Sequence, residues 1–375
     1  MKFDLLYELQ TPKPHDERSE YRCYHEAIEQ IELADRLGFD TVWFVEHHFL
    51  TEFAHSSAPE VFLGALSQRT KRIRLGHGVT LLPHKFNHPI RVAERVAALD
   101  ILSGGRVEFG TGRSSQYEQA GFEIETERSR AMWQEALEMI PRMWTEEVFE
   151  HRGEFVSVPP RSIIPKPIQK PHPPIWMAAT SPEGWEIAGR NGIGILGLTI
   201  FVRIPQLAER VRAYRKALEQ AKPVGKFVNA KVGAFTIVHV AESKEQAVAN
   251  GGPDAAINYL LYAFRVLGGF ADPQGRGMQR EYAELEIKST PYRDLIAKEY
   301  PIIVKMQKGE CTFEDLDQED MVIVGDVDHV IRKVERYRDA GLDHFIALMQ
   351  ADRIPHDKVM RSIELFAKEV IPHFR

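Results

Sequence analysis

Three ionisable side chains follow one another directly after a run of strand-forming residues. The residues from Thr41 to Val45 have the β-branched and aromatic character of a strand, and Glu46, His47 and His48 come next. An imidazole titrates near neutral pH and can therefore act as a general acid or base. A solvated loop with two ordinary histidines is the alternative interpretation. The position favours chemistry, because β/α barrels carry their active sites at the C-terminal ends of the strands.

A second polar segment has the composition of an anion-binding turn. The residues from Gly110 to Ser115 are Gly-Thr-Gly-Arg-Ser-Ser. The glycines, Gly112 among them, let a ligand approach the backbone, and Arg113 adds a fixed positive charge. A tight turn that ends in a surface arginine is the alternative interpretation.

Two further expected strand ends could contact the same ligand. Ser181, after Ala179 and Thr180, precedes a proline and predicts the N-cap of a helix, whose free N–H groups can bind a phosphate. Gly78 leaves room for a flat ring against the backbone. Simple helix capping and simple packing are the alternatives at these two places. The ensemble favours a phosphorylated, planar cofactor.

The sequence gives little support to metal or nucleophile chemistry. Adjacent side chains of a strand point to opposite faces, so His47 and His48 do not readily share one ion. The sequence has no HExxH pattern and no set of four ligands. It also lacks the GxSxG and GxxxxGK[ST] patterns, and neither Cys23 nor Cys311 lies at an expected strand end. We therefore expect no catalytic metal and no covalent hydrolase.

The elements that must position these residues alternate between short strands and longer amphipathic helices. Strands are expected near residues 3, 41, 73, 106, 175, 193, 230 and 344, which predicts an α/β fold, an eight-stranded parallel β/α (TIM) barrel with insertions. We expect one barrel domain over residues 1–375, with a proline-rich excursion at 158–174. An insertion at about 250–320 contains the glycines from Gly268 to Gly277 and is a candidate lid.

Composition narrows the class of protein further. The 375 residues include 48 Lys and Arg against 54 Asp and Glu, a formal net charge of −6, so nucleic acid is not an expected partner. No apolar run approaches the roughly 20 residues of a membrane span, and Asp4 and Glu8 interrupt any signal-peptide core. With two cysteines far apart in the sequence, we expect a cytoplasmic protein.

Taken together, the motifs resemble those of the bacterial luciferase-like flavin monooxygenases. The resemblance covers the first third of the chain closely, and the β/α rhythm covers nearly all of the rest. The segments that carry it are Gly38–Trp43 with Val45–Phe49, Ile73–Gly76, Leu82–Pro83, His88–Glu94, Leu99–Arg106 with Gly110–Arg113, and Ile175–Ser181.

The resemblance implies a commonly dimeric barrel that binds exchangeable, reduced FMN from a separate NAD(P)H:flavin reductase. Such an enzyme reacts with O2 through a flavin C4a-peroxide and oxygenates a small organic substrate, such as an aldehyde or a ketone. An apolar face on the 59–68 or 89–102 helix would be the place of dimerisation.

The resemblance also assigns roles to residues of this chain. His47 would lie beside the oxygen-reacting edge of the flavin as an acid and base, flanked by Glu46 and His48. Arg113 and the segment 179–181 would bind the FMN phosphate, and a non-proline cis peptide at Gly78-Val79 would lie beneath the ring. The expected catalytic residues are His47 and His48, and the expected cofactor-binding residues are Glu46, Gly78, Val79, Gly112, Arg113, Ala179, Thr180 and Ser181.

Departures from the family pattern bear on the reaction. Light-emitting luciferases carry a cysteine where this chain has Gly112, and a tryptophan near the strand that ends at Leu198-Thr199. We therefore do not expect light emission. Two alternatives stay open: a deazaflavin-dependent dehydrogenase or reductase on the same barrel, which typically has Asp-His after the second strand, and a non-catalytic flavin-binding protein.

Overall fold

The computed structural model describes residues 1–267 and 301–375. Its strands are β1 (Lys2–Tyr7), β2 (Thr41–Phe44), β3 (Arg74–Leu81), β4 (Val107–Gly112), β5 (Phe149–Arg152), β6 (Ser157–Arg161), β7 (Ile175–Ala178), β8 (Gly194–Leu198), β9 (Val232–Ala241), β10 (Val322–Asp326) and β11 (His344–Leu348). Parallel pairing runs β1-β2-β3-β4-β7-β8-β9-β11, and β11 pairs with β1, so these strands close a barrel. The eight predicted strands and the predicted β/α barrel are confirmed.

Helices follow most of the strands and cover the outside of the barrel. They are α1 (Ser19–Leu37), α2 (Pro59–Arg69), α3 (Pro89–Ser103), α4 (Gln116–Gly121), α5 (Thr126–Thr145), α6 (Pro182–Arg190), α7 (Ile204–Leu218), α8 (Lys244–Ala249), α9 (Gly252–Leu267), α10 (Pro301–Lys308), α11 (Phe313–Gln318), α12 (Val327–Asp339) and α13 (His356–Leu365). No helix within the described ranges has the length and apolar character that crossing a membrane requires.

Local sequence signals explain where several helices start and stop. Helix α1 ends at Gly38, which adopts a left-handed conformation with φ of 90° and donates its N–H to the Ala34 carbonyl, 3.0 Å away. Helix α3 begins with Pro89 and ends at Gly104, again left-handed with φ of 70°. These caps fix the length of the loops and so the point at which each strand re-enters the barrel.

The lower part of the barrel interior is filled by a buried polar and aromatic layer. The Asp4 Oδ2 atom accepts a hydrogen bond from Trp43 Nε1 at 2.9 Å and lies 2.8 Å from His344 Nδ1. Trp43 packs edge-on against Trp176, with ring centroids 5.3 Å apart. Gly76 makes room for this layer, because a Cβ there would lie 2.3 Å from the Trp43 ring. This layer fills the barrel interior at the level of Asp4 and Trp43, which leaves the C-terminal mouth as the expected place for a ligand.

Two strand features were not predicted from the sequence. The ninth strand of the sheet, β10, pairs with the C-terminal half of β9, from Ile237 to Ala241. Strands β5 and β6 form a separate antiparallel hairpin, and β6 contains Pro159 and Pro160. Proline is tolerated here because a two-stranded sheet consists only of edges. The proline-rich excursion therefore begins as a hairpin that pairs within itself and not with the barrel.

The expected insertion is largely helical where it is described. Helices α8 and α9 follow β9, and α10 and α11 precede β10. Three residues of α9 bind the barrel mouth: Tyr259 contacts Glu8, Asn258 contacts Asp352, and Tyr262 contacts Glu52. The candidate lid from Gly268 to Gly277 lies outside the described residues.

Candidate active site

The inward-facing side chains lead from the buried layer up to the mouth of the barrel. Leu6 faces the interior, because a Cβ on Gly78 would meet Leu6 Cδ1 at 3.6 Å and Trp43 Cβ at 2.9 Å. Glu8 directly follows β1, and His47 lies three residues beyond the end of β2. The two residues also interact electrostatically. Glu8 and His47 are therefore placed together at the mouth.

His47 is paired with a carboxylate that the sequence analysis did not single out. Its Nδ1 atom lies 3.0 Å from Glu118 Oε1, and the same oxygen accepts the His48 backbone N–H at 2.7 Å. Burial by itself lowers the pKa of His47, but Glu118, Glu8 and Glu46 together raise that pKa to about 9. His47 is therefore an imidazolium at neutral pH and can donate a proton.

Glu118 is held in position by the start of α4. Ser115 caps this helix and forms a capping box with Glu118, whose Oε2 atom lies 2.8 Å from Ser115 Oγ and 2.6 Å from Ser114 Oγ. Glu118 is fully buried. Burial opposes its ionisation, yet His47 and these hydrogen bonds lower the pKa of Glu118 to about 2. The carboxylate is thus a fixed negative charge that keeps His47 protonated.

The side chains of Glu46 and His48 bind other partners. Glu46 Oε2 accepts the Leu81 backbone N–H at 2.8 Å, and its Oε1 accepts from Asn87 Nδ2 at 2.8 Å. His48 Nε2 lies 3.3 Å from Glu46 Oε1, and its ring stacks on Phe86 at 5.9 Å between centroids. Glu46 therefore ties the end of β2 to the end of β3, and His48 packs beside it.

The wall of the mouth next to His47 is a glycine-lined bulge. The register between β3 and β4 shifts between His77 and Thr80, so Gly78 and Val79 form a β-bulge. Opposite it, a Cβ on Gly110 would lie 2.0 Å from the His77 carbonyl oxygen, and one on Gly112 would lie 2.4 Å from Val79 Cγ2. A Cβ would therefore collide with backbone at Gly110 and with the Val79 side chain at Gly112, so any larger residue requires β3 to shift.

One expectation for this bulge is wrong. The cis peptide bonds within residues 1–267 and 301–375 precede Pro14, Pro165 and Pro171, so the Gly78-Val79 segment has no non-proline cis peptide. The extra residue of the bulge accommodates the bend in the strand with ordinary trans peptides.

Positive charge and a helix start meet beside β4. Arg113 donates from Nη1 to Ser129 Oγ at 2.9 Å, and the neighbouring Arg130 forms a 3.0 Å ion pair with Glu183 in the first turn of α6. Burial, followed by the charge of Arg130, lowers the pKa of Arg113, while Glu183 opposes this shift. Two arginines thus face a single acidic residue at this helix start.

The start of α6 is built as predicted. Ser181 is the N-cap and accepts the Gly184 N–H at 3.3 Å, directly before the helix begins at Pro182. Ala179 and Thr180 form the turn between β7 and this helix, and the Thr180 carbonyl accepts a hydrogen bond from Arg210 at 3.0 Å. The residues 179–181 therefore lie at the helix start that Arg130 reaches, with Arg113 close by.

Glu8 is the most unusual side chain of the mouth. It is only 4% exposed, and its Oε1 atom accepts a hydrogen bond from Tyr259 Oη at 2.8 Å. Its Oε2 atom is buried and has no hydrogen-bond partner among the described residues. Burial raises the pKa of Glu8 to about 7, against the opposing effects of His47 and Tyr259.

The structure groups the predicted site residues in two places and adds residues that were missed. His47 lies with Gly78 and Val79 at the mouth, and Gly112 leads to Arg113 beside α6. The sequence carries a signal for Glu118, because Ser-x-x-Glu is a capping-box pattern. It also carries one for Glu8, because this residue directly follows the first strand. Arg130 and Tyr259 had none, because helix packing alone brings them to the site.

Comparison with known proteins gives the family. The model of the luciferase-like monooxygenase family matches residues 5–344. The oxygenase component of a flavin-dependent trigonelline monooxygenase from Acinetobacter baylyi is 25% identical, over 100% of this chain and 96% of its own. Other relatives are named F420-dependent glucose-6-phosphate dehydrogenases.

Solved structures share the fold over its full length. Monooxygenase RslO1 from Streptomyces bottropensis superimposes with a TM-score of 0.76 at 28% identity, covering 100% of both chains. The oxygenating constituent of 3,6-diketocamphane monooxygenase from Pseudomonas putida, in complex with FMN, has a TM-score of 0.74 at 19% identity, covering 99% of this chain and 98% of its own. The family model, the relatives and the barrel agree, and the chain belongs to the luciferase-like monooxygenase family.

Proposed function

We propose that the protein is the oxygenase of a two-component flavin system. It binds reduced FMN supplied by an NAD(P)H:flavin reductase and uses O2 to oxygenate a small organic substrate, such as an aldehyde or a ketone. The observation that carries this proposal is the arrangement of one protonated imidazole, His47, in the mouth and a cationic helix start at its rim.

The residues present fit a flavin phosphate ester. Arg113, Arg130 and the N-terminus of α6 offer positive charge and N–H donors to a phosphate. Gly110 and Gly112 let β4 pack closely against the bulge at Gly78 and Val79, and this bulge offers backbone to a flat ring. When bound, reduced flavin supplies the electrons that activate O2.

The chain's own residues then have distinct tasks. Arg113 and the 179–181 turn hold the phosphate, and the backbone at Gly78 and Val79 supports the ring. His47 holds a proton at its imidazole, and Glu118 keeps that proton in place until it is needed. The apolar neighbours Leu6 and Leu196 limit the access of water to the mouth.

The comparisons support parts of this proposal. The Acinetobacter relative is named an oxygenase component, which favours a separate reductase as the partner of this protein too. The FMN in the Pseudomonas structure favours that cofactor, while the F420-dependent relatives keep a deazaflavin among the outcomes to be tested. We also propose, as part of this function, a single barrel domain and a cytoplasmic homodimer. Exposed Val61 on α2, and Ile101 and Leu102 on α3, are apolar and suit the dimer contact.

Phosphate recognition is the first test. We expect Arg113→Gln to weaken the binding of reduced FMN roughly 10- to 100-fold, because a charged hydrogen bond to the phosphate is lost. Riboflavin, which lacks the phosphate, should bind both proteins equally. Anaerobic titration, followed by flavin fluorescence or calorimetry, gives the dissociation constants.

The matched control is Arg190→Gln, which removes an exposed arginine from the last turn of the same helix α6. This variant should bind FMN like the unchanged protein. Equal losses for FMN and riboflavin in Arg113→Gln would contradict the phosphate role.

Incubation of the protein with O2 and either reduced FMN or reduced deazaflavin, with product analysis, then separates oxygenation from hydride transfer and from binding alone.

A further inference from the structure

Glu8 is the one buried carboxyl of the mouth whose second oxygen is unused by the part of the protein that the structure describes. Glu46 and Glu118 each bind protein donors through both oxygens. Glu8 Oε1 binds Tyr259, whereas Glu8 Oε2 is buried without a partner. Buried polar atoms are nearly always paired, so an orphaned carboxyl oxygen at the mouth of a barrel is available to a ligand, a water molecule or a proton.

We propose that Glu8 is a further acid–base residue of this site, held by Tyr259 and facing the mouth beside His47, and that it is ionised when the site is competent. This inference rests on the proposed function for its role, but the electrostatic interaction between Glu8 and His47 is a property of the protein alone. Glu8 would then be a second group, besides His47, that can exchange a proton in the mouth.

The placement of Glu8 follows from the rows of the barrel. Asp4 and Leu6 face the barrel interior from β1, as Trp43 does from β2, and Glu8 and His47 come after the C-terminal ends of these two strands. The backbone joins the two strand ends as well, since the Val45 N–H donates to the Tyr7 carbonyl at 3.3 Å. Glu8 and His47 therefore follow two paired strands at the same end of the barrel, and their side chains interact electrostatically.

Helix α9 keeps the carboxyl in this position. Tyr259 is buried and donates its hydroxyl hydrogen to Glu8, and its ring packs on Phe53 at 5.2 Å between centroids. Phe53 in turn packs edge-on against His47 at 6.0 Å. Tyr259 of α9 therefore contacts Glu8 directly and is connected to His47 through the ring of Phe53.

The charges around the pair define a working pH range. Glu118 from α4, Glu8 from β1 and Glu46 from the β2 end act on His47, while His47 and Tyr259 act on Glu8. With pKa values of about 7 for Glu8 and about 9 for His47, a carboxylate and an imidazolium coexist between these values. A site that needs this form has a bell-shaped pH dependence.

The test is a titration of His47 by NMR in flavin-free protein labelled with 15N-histidine, with the His47 signals assigned from their loss in His47→Gln. In Glu8→Gln, the midpoint of the His47 titration should move down by about one pH unit, because a nearby negative charge is lost. The smaller change that ionisation of Glu8 imposes on the same signals near pH 7 should disappear. Tyr259→Phe keeps the carboxyl and should move that change to higher pH, because the carboxylate loses a donor.

Two controls make the result decisive. Glu118→Gln must lower the His47 midpoint, which shows that the method detects a lost partner. Glu52→Gln removes the carboxylate that binds Tyr262 of the same helix α9 and should leave His47 unchanged. An unchanged His47 titration in Glu8→Gln, with the Glu118→Gln shift present, overturns the proposal. If Glu8→Gln does not fold, Tyr259→Phe decides, and an unmoved change near pH 7 overturns it.

A second readout connects the pair to the reaction. The rate at which protein-bound reduced FMN reacts with O2 should lose its acidic limb near pH 7 in Glu8→Gln and keep it in Glu52→Gln. A limb that persists in Glu8→Gln overturns the acid–base role. Failure of the protein to bind reduced FMN contradicts the proposed function instead, and leaves the NMR result standing.

Discussion

Among single residues, the site depends most on the ion pair of His47 and Glu118, whose two members differ in their surroundings. His47 is the group that faces the mouth, while Glu118 is fully buried and bound by two serines. Removing one partner of such a pair leaves the other charge uncompensated, which is strongly destabilising. The pair therefore links the protonation of the site to the stability of the fold.

This linkage predicts a pH window for stability. The pKa of Glu118 falls from an ordinary 4.5 to about 2, so its contribution is present above 4.5 and is lost as the pH falls towards 2. The pKa of His47 rises from 6.5 to about 9, so its contribution is present below 6.5 and is lost as the pH rises through 9. Glu118→Gln should therefore lower the free energy of unfolding by about 2 to 3 kcal/mol between pH 4.5 and pH 6.5. The loss should become smaller as the pH falls towards 2 or rises through 9.

Urea unfolding across the pH range measures this difference. Glu127→Gln is the matched control, because Glu127 is an exposed glutamate in the first turn of α5. Its cost should be small at every pH. A cost of Glu118→Gln that does not shrink at either end of the range would show that the ion pair is not its source.

Individual residues also show how far sequence reasoning reaches. His47 and Arg113 follow strands that periodicity identifies, so the strand-end rule finds them. Glu118 completes a Ser-x-x-Glu capping box and Glu8 directly follows the first strand, so both also carry a local sequence signal. Arg130 and Tyr259 project from helices, and their position depends on how α5 and α9 pack against the barrel. Helix packing is set by contacts between segments distant in sequence, and no local pattern encodes it.

At the scale of elements, the bulge in β3 shapes the mouth, and β4 has to be adapted to it. A Cβ at position 110 would lie only 2.0 Å from the His77 carbonyl oxygen, well inside van der Waals contact. Gly110→Ala should therefore separate the two strands or shift their register, with a cost of about 1 to 3 kcal/mol, the range found for overpacked cores. Thermal or urea unfolding measures this cost, and weaker FMN binding should accompany it.

The same chain offers a glycine for comparison. Gly64 lies in α2 with nothing within 4 Å of its Cβ position. Gly64→Ala should stabilise the protein by up to about 1 kcal/mol, because alanine is the better helix former. If Gly110→Ala were equally harmless, β3 and β4 would not be in the close contact described.

Elements differ in how well the sequence predicts them. Barrel strands and covering helices alternate with the expected periods, and the caps at Gly38 and Gly104 mark helix ends correctly. Strand β10 was missed because it follows a stretch without clear periodicity. Strand β6 was missed because Pro159 and Pro160 argue against a central strand, and it is not one. The missed strands thus lie outside the closed ring of eight barrel strands.

At the scale of the whole molecule, the two ends of the chain complete one barrel. Strand β11 pairs with β1 from Lys2 to Leu5, so the first and last strands are neighbours. Phe3 contacts Phe345, Phe366 and Phe374, with ring centroids between 5.6 and 6.2 Å apart. A barrel that lacks its last strand has two open edges, and the C-terminal region is therefore needed for the site near the N-terminus.

Closure predicts a single cooperative unit. Phe366 is fully buried behind β1 and β11, and Phe366→Ala should cost about 3 to 5 kcal/mol through the cavity that it leaves. In a one-domain barrel this loss destabilises every strand together, including those that carry His47 and Arg113. Urea unfolding followed by circular dichroism, tryptophan fluorescence and FMN binding should then show coincident transitions, all moved to lower urea. Val248→Ala, at an exposed position of α8, should leave them in place. Separate transitions, with only one of them sensitive to Phe366, would divide the chain into two domains and overturn the single-barrel proposal.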